Sequence, residues 1–174
     1  NADGRGCGER LQVDVNAGNV LWLGTSQDGL FKSQDHGASF TAIPSPGKSI
    51  TLVLIDPRST AGEASKTLYV GIADDAGGLF KSSDGGATFV RMPDLPKLIP
   101  QRAVLDTEGN LYVTLSNGRA PAGGTEGGLY RLDAKSGKWR DISPMKPGTN
   151  GAKFAYCGLD IDVTKPGTIV VATM

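Results

Sequence analysis

The chain holds 174 residues, with 25 Gly, 10 Pro, two Cys, one His and eighteen basic side chains balanced by eighteen acidic ones. The cancelled charge excludes a global pull toward nucleic acid or an anionic membrane and points to a neutral partner. No apolar run approaches the roughly 18 residues a membrane-spanning helix needs, and no stretch carries a helical apolar period.

In chain order, a charged N-terminal stretch leads to Val13-Asp14-Val15-Asn16 and then to the apolar run Val20-Leu21-Trp22-Leu23-Gly24-Thr25. Gly29-Leu30-Phe31-Lys32 comes next, and this Gly-Leu-aromatic-basic run returns as Gly78-Leu79-Phe80-Lys81 and Gly128-Leu129-Tyr130-Arg131, at intervals of 49 and 50 residues. The inner half of the pattern returns too. Ile55-Asp56-Pro57 leads to Leu68-Tyr69-Val70-Gly71, Leu105-Asp106 to Leu111-Tyr112-Val113-Thr114, and Ile161-Asp162-Val163 to Ile169-Val170-Val171-Ala172. Short β-rich runs separated by Asp, Asn, Gly and Pro predict hairpins, so the chain is expected to be nearly all-β.

The segment after each basic residue is more specific. Ser33, Asp35, Gly37 and Phe40 recur as Ser82, Asp84, Gly86 and Phe89, giving Ser-x-Asp-x-Gly-x-(Ser/Thr)-Phe twice in register. This resembles the Asp-box, in which Ser and Asp oxygens accept hydrogen bonds from the turn's backbone amides while Gly takes a positive φ. The third copy, Leu132 to Trp139, keeps the aromatic but not the Asp and Gly positions, and is expected to turn at Ser136-Gly137. Phe40, Phe89 and Trp139 align and are expected to anchor the core. Trp22, alternating with Leu21 and Leu23, is expected to pack between sheets rather than to form a sugar platform.

A strand-built unit of about 40 to 50 residues is the signature of a β-propeller blade. The expected architecture is a propeller segment of about three and a half four-stranded blades, at approximately 9–49, 50–98, 99–156 and an incomplete 157–174. Closed propellers usually hold about four to eight blades, so the chain reads as part of a larger protein. Its exposed blade edges are expected to pair with remaining blades of the same propeller or with a symmetry-related copy.

Five segments, taken in order, resemble glycoside hydrolase family 74, the xyloglucanases and related β-1,4-glucanases: Asn1 to Asp14, Val104 to Val113, Ser116 to Gly127, Trp139 to Pro144, and Pro166 to Thr173. The resemblance implies part of the N-terminal one of two seven-bladed propellers, in an exported (secreted or periplasmic) inverting endo-hydrolase that holds xyloglucan or a related β-glucan in the cleft between them. Such hydrolysis needs a general acid and a general base, two carboxylates with room for a water between them. The resemblance places the base upstream of Asn1 and the acid in the second propeller, so no catalytic residue is assigned here and the segment alone is expected to be inactive. The alternative is a non-catalytic Asp-box propeller that binds carbohydrate or protein.

Asp14, Asp56, Asp106 and Asp162 recur at matching positions, which favours turn formation over catalysis. Asp74-Asp75 is expected in an exposed turn; burial would instead make the pair share a proton. The expected substrate-binding residues are Arg5, Glu9 and Arg10 before the first strand, Asn117 and Arg119 (with Glu126) on the long Gly-rich loop, and Tyr156, the aromatic best placed for a surface role. For Glu9 and Arg10 an ion pair steadying the strand is the competing reading. No metal or cofactor is expected from a lone His36 and two distant Cys, and Cys7 and Cys157 are expected to be free thiols.

Overall fold

A computed structural model describes residues 9–60, 62–75, 77–118, 124–165 and 167–174. Its strands fall into two compact units, Glu9–Pro93 and Asp94–Met174.

In Glu9–Pro93, β1 (Leu11–Val13), β2 (Leu21–Gly24), β3 (Leu30–Ser33) and β4 (Thr41–Ile43) form one antiparallel meander, and β5 (Ile50–Asp56), β6 (Thr67–Ile72), β7 (Gly78–Ser82) and β8 (Val90–Arg91) form a second. The repeat appears as register: Trp22 pairs with Lys32 across β2 and β3, and Tyr69 pairs with Lys81 across β6 and β7. Because side chains alternate along a strand, each sheet offers one apolar set to the other. Val20, Trp22 and Leu30 of the first sheet meet Val53, Ile55, Leu68, Val70 and Phe80 of the second, with Ile43 and Phe89 at the margin. Full burial of each large aliphatic here contributes about 1.5–3 kcal/mol.

The other face of the first sheet is uncovered. Leu11 is 55% exposed and Val13 50%, although Val53 and Ile55, their counterparts one period later, are 2% and 8% exposed. The same contrast corrects the expectation for Phe40: at 37% exposure it anchors no core, whereas Phe89 packs against the cluster. Phe89 points at a sheet that precedes its own. Within Glu9–Pro93, Phe40 has no preceding sheet to meet.

In Asp94–Met174, β9 (Ile99–Leu105), β10 (Leu111–Ser116), β11 (Gly127–Leu132) and β12 (Trp139–Asp141) repeat the meander, and β13 (Tyr156–Ile161) with β14 (Ile169–Thr173) forms a two-stranded sheet. Pro100 is tolerated because β9 is an edge strand and its register with β10 shifts there. Tyr112, Leu129 and Leu159 form the core, flanked by Val104, Ile142, Ile161, Ile169 and Val171. Arg102 Nε donates to the Leu159 carbonyl at 2.9 Å, tying β13 to β9.

Candidate functional site

A four-stranded meander has two ends. One carries the turns from first to second and third to fourth strands; the other carries the second-to-third loop and the linker to the next sheet. The two ends use their polar groups differently.

At the turn end, side chains are consumed by their own backbone. In the first Asp-box, Ser33 Oγ donates to Asp35 Oδ1 at 2.7 Å and accepts from Gly37 N at 2.9 Å, and Asp35 accepts from Ser39 N at 2.9 Å and Ser39 Oγ at 2.6 Å. Ser82, Asp84, Gly86 and Thr88 reproduce the same four bonds within 0.1 Å. The Ser39 and Thr88 hydroxyls, backbone amides and box serines hold the Asp35 and Asp84 carboxyls down at about 2. In the third copy Asp133, one position earlier relative to the basic residue, accepts from Ser136 N and Oγ, both at 2.8 Å, and Gly137 takes φ 65°.

The recurring aspartates of the first turns are also acceptors. Asp56 takes Arg58 N at 3.0 Å and a two-pronged guanidinium contact at 2.9 Å. Burial raises its pKa, but the Arg58 bonds and charge outweigh that and leave it below the usual range. Asp106 accepts from Asn110 N at 2.8 Å, Asn110 Nδ2 at 2.7 Å and Tyr112 Oη at 3.1 Å. Asp162 accepts from Thr164 N and Oγ1 at 2.8 and 2.6 Å. Asp14 reaches furthest: fully buried, it accepts from Ser65 N at 2.5 Å and Ser65 Oγ at 2.9 Å, so the first sheet's turn grips the second's.

The loop end clasps loops and linkers. Asp74, expected in an exposed turn, is half-buried and accepts from Lys48 N at 2.7 Å and Ser49 N at 3.2 Å, holding the linker that feeds β5; Asp75 is exposed. Asn117 Oδ1 accepts from Thr125 N at 2.9 Å and Glu126 N at 3.2 Å, so it closes the base of the Gly-rich loop and leaves Thr125 and Glu126 exposed beside it. Gln101, which sequence reasoning did not single out, is fully buried and donates to the Gly118 carbonyl at 2.9 Å, bracing the same loop. Its only sequence signal is a polar side chain between Pro100 and Arg102 in a strand.

Tyr156 is a correction. Instead of standing at the surface it is 2% exposed, its hydroxyl donates to Met145 O at 2.6 Å and accepts from Met145 N at 3.1 Å, and its ring meets Phe154 edge-on at 5.5 Å. The hydroxyl secures the chain between β12 and β13, which a lone Tyr in an irregular stretch does not reveal. Glu9 is exposed and accepts from Gln12 Nε2 at 2.9 Å, while the Arg10 carbonyl accepts from Gly24 N at 2.8 Å. Arg5, Cys7 and Arg119 lie outside the described residues. Cys157 is a free thiol whose Sγ lies 3.6 Å from the Ala172 carbonyl.

A cavity of about 430 Å³ also opens at the turn end of Asp94–Met174, lined by Tyr112, Arg131, Ile142, Ile161, Asp162 and Ile169 among others. Among the described residues, no group of three or more His, Cys, Asp and Glu side chains is placed to hold a metal ion.

These repeated four-stranded meanders define the class: an all-β segment of a β-propeller. No protein-family model matches the chain. It is similar along its whole length to xyloglucanases from Paenibacillus sp (38% identity, 100% of this chain, 19% of that protein) and Hypocrea jecorina (36%, 100% and 23%). The glycoside hydrolase family 74 enzyme of Niastella koreensis matches at TM-score 0.85 and 35% identity, over 97% of this chain and 25% of that one. The chain is thus similar along nearly its whole length to an enzyme of glycoside hydrolase family 74, and spans about a fifth of the length of the curated relatives it matches.

Proposed function

We propose that the chain is part of an exported glycoside hydrolase that cleaves xyloglucan or a related β-1,4-glucan internally and with inversion, contributing scaffold and part of the glucan-binding surface. The observation that carries this reading is the likeness, over the whole of the chain, to proteins named as xyloglucanases. The acid and base would come from other parts of the parent protein. The carboxylates of the turn end support this division, since Asp14, Asp35, Asp84, Asp106 and Asp162 each spend their oxygens on neighbouring turn donors.

The loop end is the surface proposed to face glucan. Asn117 and Gln101 brace a long Gly-rich loop whose exposed Thr125 and Glu126 offer polar groups to sugar hydroxyls, and Glu9 and Arg10 stand at the start of the first sheet. Arg5 and Arg119 belong to the same proposal on sequence grounds. Tyr156, buried and bonded, serves by holding the neighbouring segment in place.

Incubation of the parent protein with xyloglucan tests the reading through the release of reducing ends. Internal cleavage yields a rapid fall in polymer length and an α-configured product, while the 174-residue chain alone releases nothing. A parent that binds xyloglucan without cleaving it would establish the non-catalytic binding propeller instead.

A further inference from the structure

The dipeptide Asn-Gly occurs at Asn117-Gly118 and again at Asn150-Gly151. Its glycine has no Cβ to shield the backbone nitrogen, so that nitrogen can attack the asparagine Cγ. Both asparagines are exposed, so access to water does not separate them. The hydrogen bonds of the carboxamide and of the attacking nitrogen do.

At Asn117 both reacting groups are held. Oδ1 accepts from Thr125 N at 2.9 Å and Glu126 N at 3.2 Å, Nδ2 donates to Thr125 Oγ1 at 3.1 Å, and Gly118 N donates to the hydroxyl of the fully buried Ser116 at 3.0 Å. Attack would require the carboxamide to leave the base of the Gly-rich loop and Gly118 N to leave Ser116. The second site, between β12 and β13, is bare by comparison. Residues 148–151 are all exposed, and among the described residues no hydrogen-bond partner meets the Asn150 carboxamide. Gly151 N has a long 3.2 Å bond to the Gly148 carbonyl, closed within its own turn. Asn150 itself takes φ 55°, a left-handed conformation that raises the backbone's starting energy rather than guarding it.

We propose that Asn150 is a site of spontaneous deamidation, with water as the co-reactant, and that the fold protects Asn117 from the same reaction. Gly151 N loses its proton and bonds to Asn150 Cγ, the Cγ–Nδ2 bond breaks, and ammonia leaves a cyclic succinimide. Water then opens the ring: attack at Cγ gives Asp, and attack at the Asn150 main-chain carbonyl gives a β-linked isoaspartate. An amide and a water become a carboxyl group and ammonia. The Asp product still tolerates a left-handed φ and adds a negative charge to the stretch between Lys146 and Lys153. The isoaspartate inserts a methylene into the main chain and displaces the Ala152 N to Thr149 O and Gly148 N to Ala152 O bonds. Tyr156 Oη, bonded to both Met145 N and Met145 O, confines the disturbance to the residues that follow Met145. The proposal rests on these local bonds and not on the glucan reading.

The test holds the protein in mildly alkaline buffer, once folded and once in urea, and follows the amide-to-acid mass gain at each Asn by peptide mapping. Isoaspartate-specific methylation counts the β-linked product. In urea the two sites share the same dipeptide and are expected to convert at comparable rates. In the folded protein Asn150 is expected to stay within about tenfold of its urea rate while Asn117 slows on the order of a hundredfold or more, since each hydrogen bond given up lowers the reactive population by about fivefold. Ser116→Ala removes the acceptor of Gly118 N and is expected to quicken Asn117 by about fivefold with Asn150 unchanged. Asn117 converting as fast as Asn150 in the folded protein would overturn the proposal, as would an Asn150 that converts in urea and not in the folded state. So would a Ser116→Ala protein in which Asn117 is no faster.

Discussion

The glycines of the Asp-boxes separate two physical effects that a sequence motif merges. Gly85 has φ 70° and nothing within 4 Å of a Cβ placed on it, Gly37 has φ 88° with only a Leu21 methyl at 3.4 Å, and Gly86 has φ 91° with Trp22 at 2.3 Å. A left-handed backbone costs a non-Gly residue about 1–2 kcal/mol, partly offset by about 0.4–1 kcal/mol from a less free unfolded chain. Gly85→Ala and Gly37→Ala are therefore expected to destabilise by about 1 kcal/mol. Gly86→Ala adds overpacking against a rigid indole that is 1% exposed, typically about 1–3 kcal/mol more. Its total is expected at about 2–4 kcal/mol. Urea titration followed by Trp22 emission, in a Trp139→Phe background, reads all three. The reasoning fails if Gly86→Ala costs no more than Gly85→Ala, or if Trp22→Leu does not relieve the extra cost in a double-mutant cycle read by circular dichroism.

Four further outcomes are expected. Because the folded Asp35 and Asp84 carboxyls sit near 2, below their unfolded values of about 4, the stabilisation they contribute is complete above about pH 4 and is lost as pH falls toward 2. Replacing both with Asn is expected to flatten the acid limb in that window, as read by circular dichroism against pH; an unchanged limb counts against it. Asp14→Ala strands the buried Ser65 amide and hydroxyl and is expected to cost about 3 kcal/mol by denaturant titration, with Asp14→Asn costing less because its carbonyl still accepts. Tyr156→Phe is expected to lose about 1–2 kcal/mol and to speed amide exchange at Met145 and its neighbours, whereas a surface tyrosine would leave both untouched. On the proposed reading of the parent protein as a xyloglucan hydrolase, Asn117→Ala in that parent is expected to raise KM for xyloglucan several-fold with kcat nearly unchanged, as steady-state reducing-end assays would show.

The parts legible in the sequence are those whose cause is local. A Ser, an Asp and a Gly at fixed offsets satisfy a turn's own amides, so both boxes could be placed from spacing alone, and the alternation Val20, Trp22 against Leu21, Leu23 already assigned the indole to the interior. The paired Lys32–Trp22, Lys81–Tyr69 and Arg131–Tyr112 contacts arise from the same period once the hairpins are drawn. Decided only in three dimensions was everything that depends on what lies across a sheet face or at the far end of a loop. Phe40 and Phe89 are identical in motif, yet one is exposed and the other packed, because burial belongs to the neighbour and not to the residue. Asp74 and Asn117 became clasps, and Tyr156 a buried strut, through hydrogen bonds to residues 8 to 26 positions away. Asp14 bonds 51 residues along the chain. Short-range hydrogen bonding writes itself into spacing; packing between sheets is set by which surfaces meet, and no single repeat encodes that.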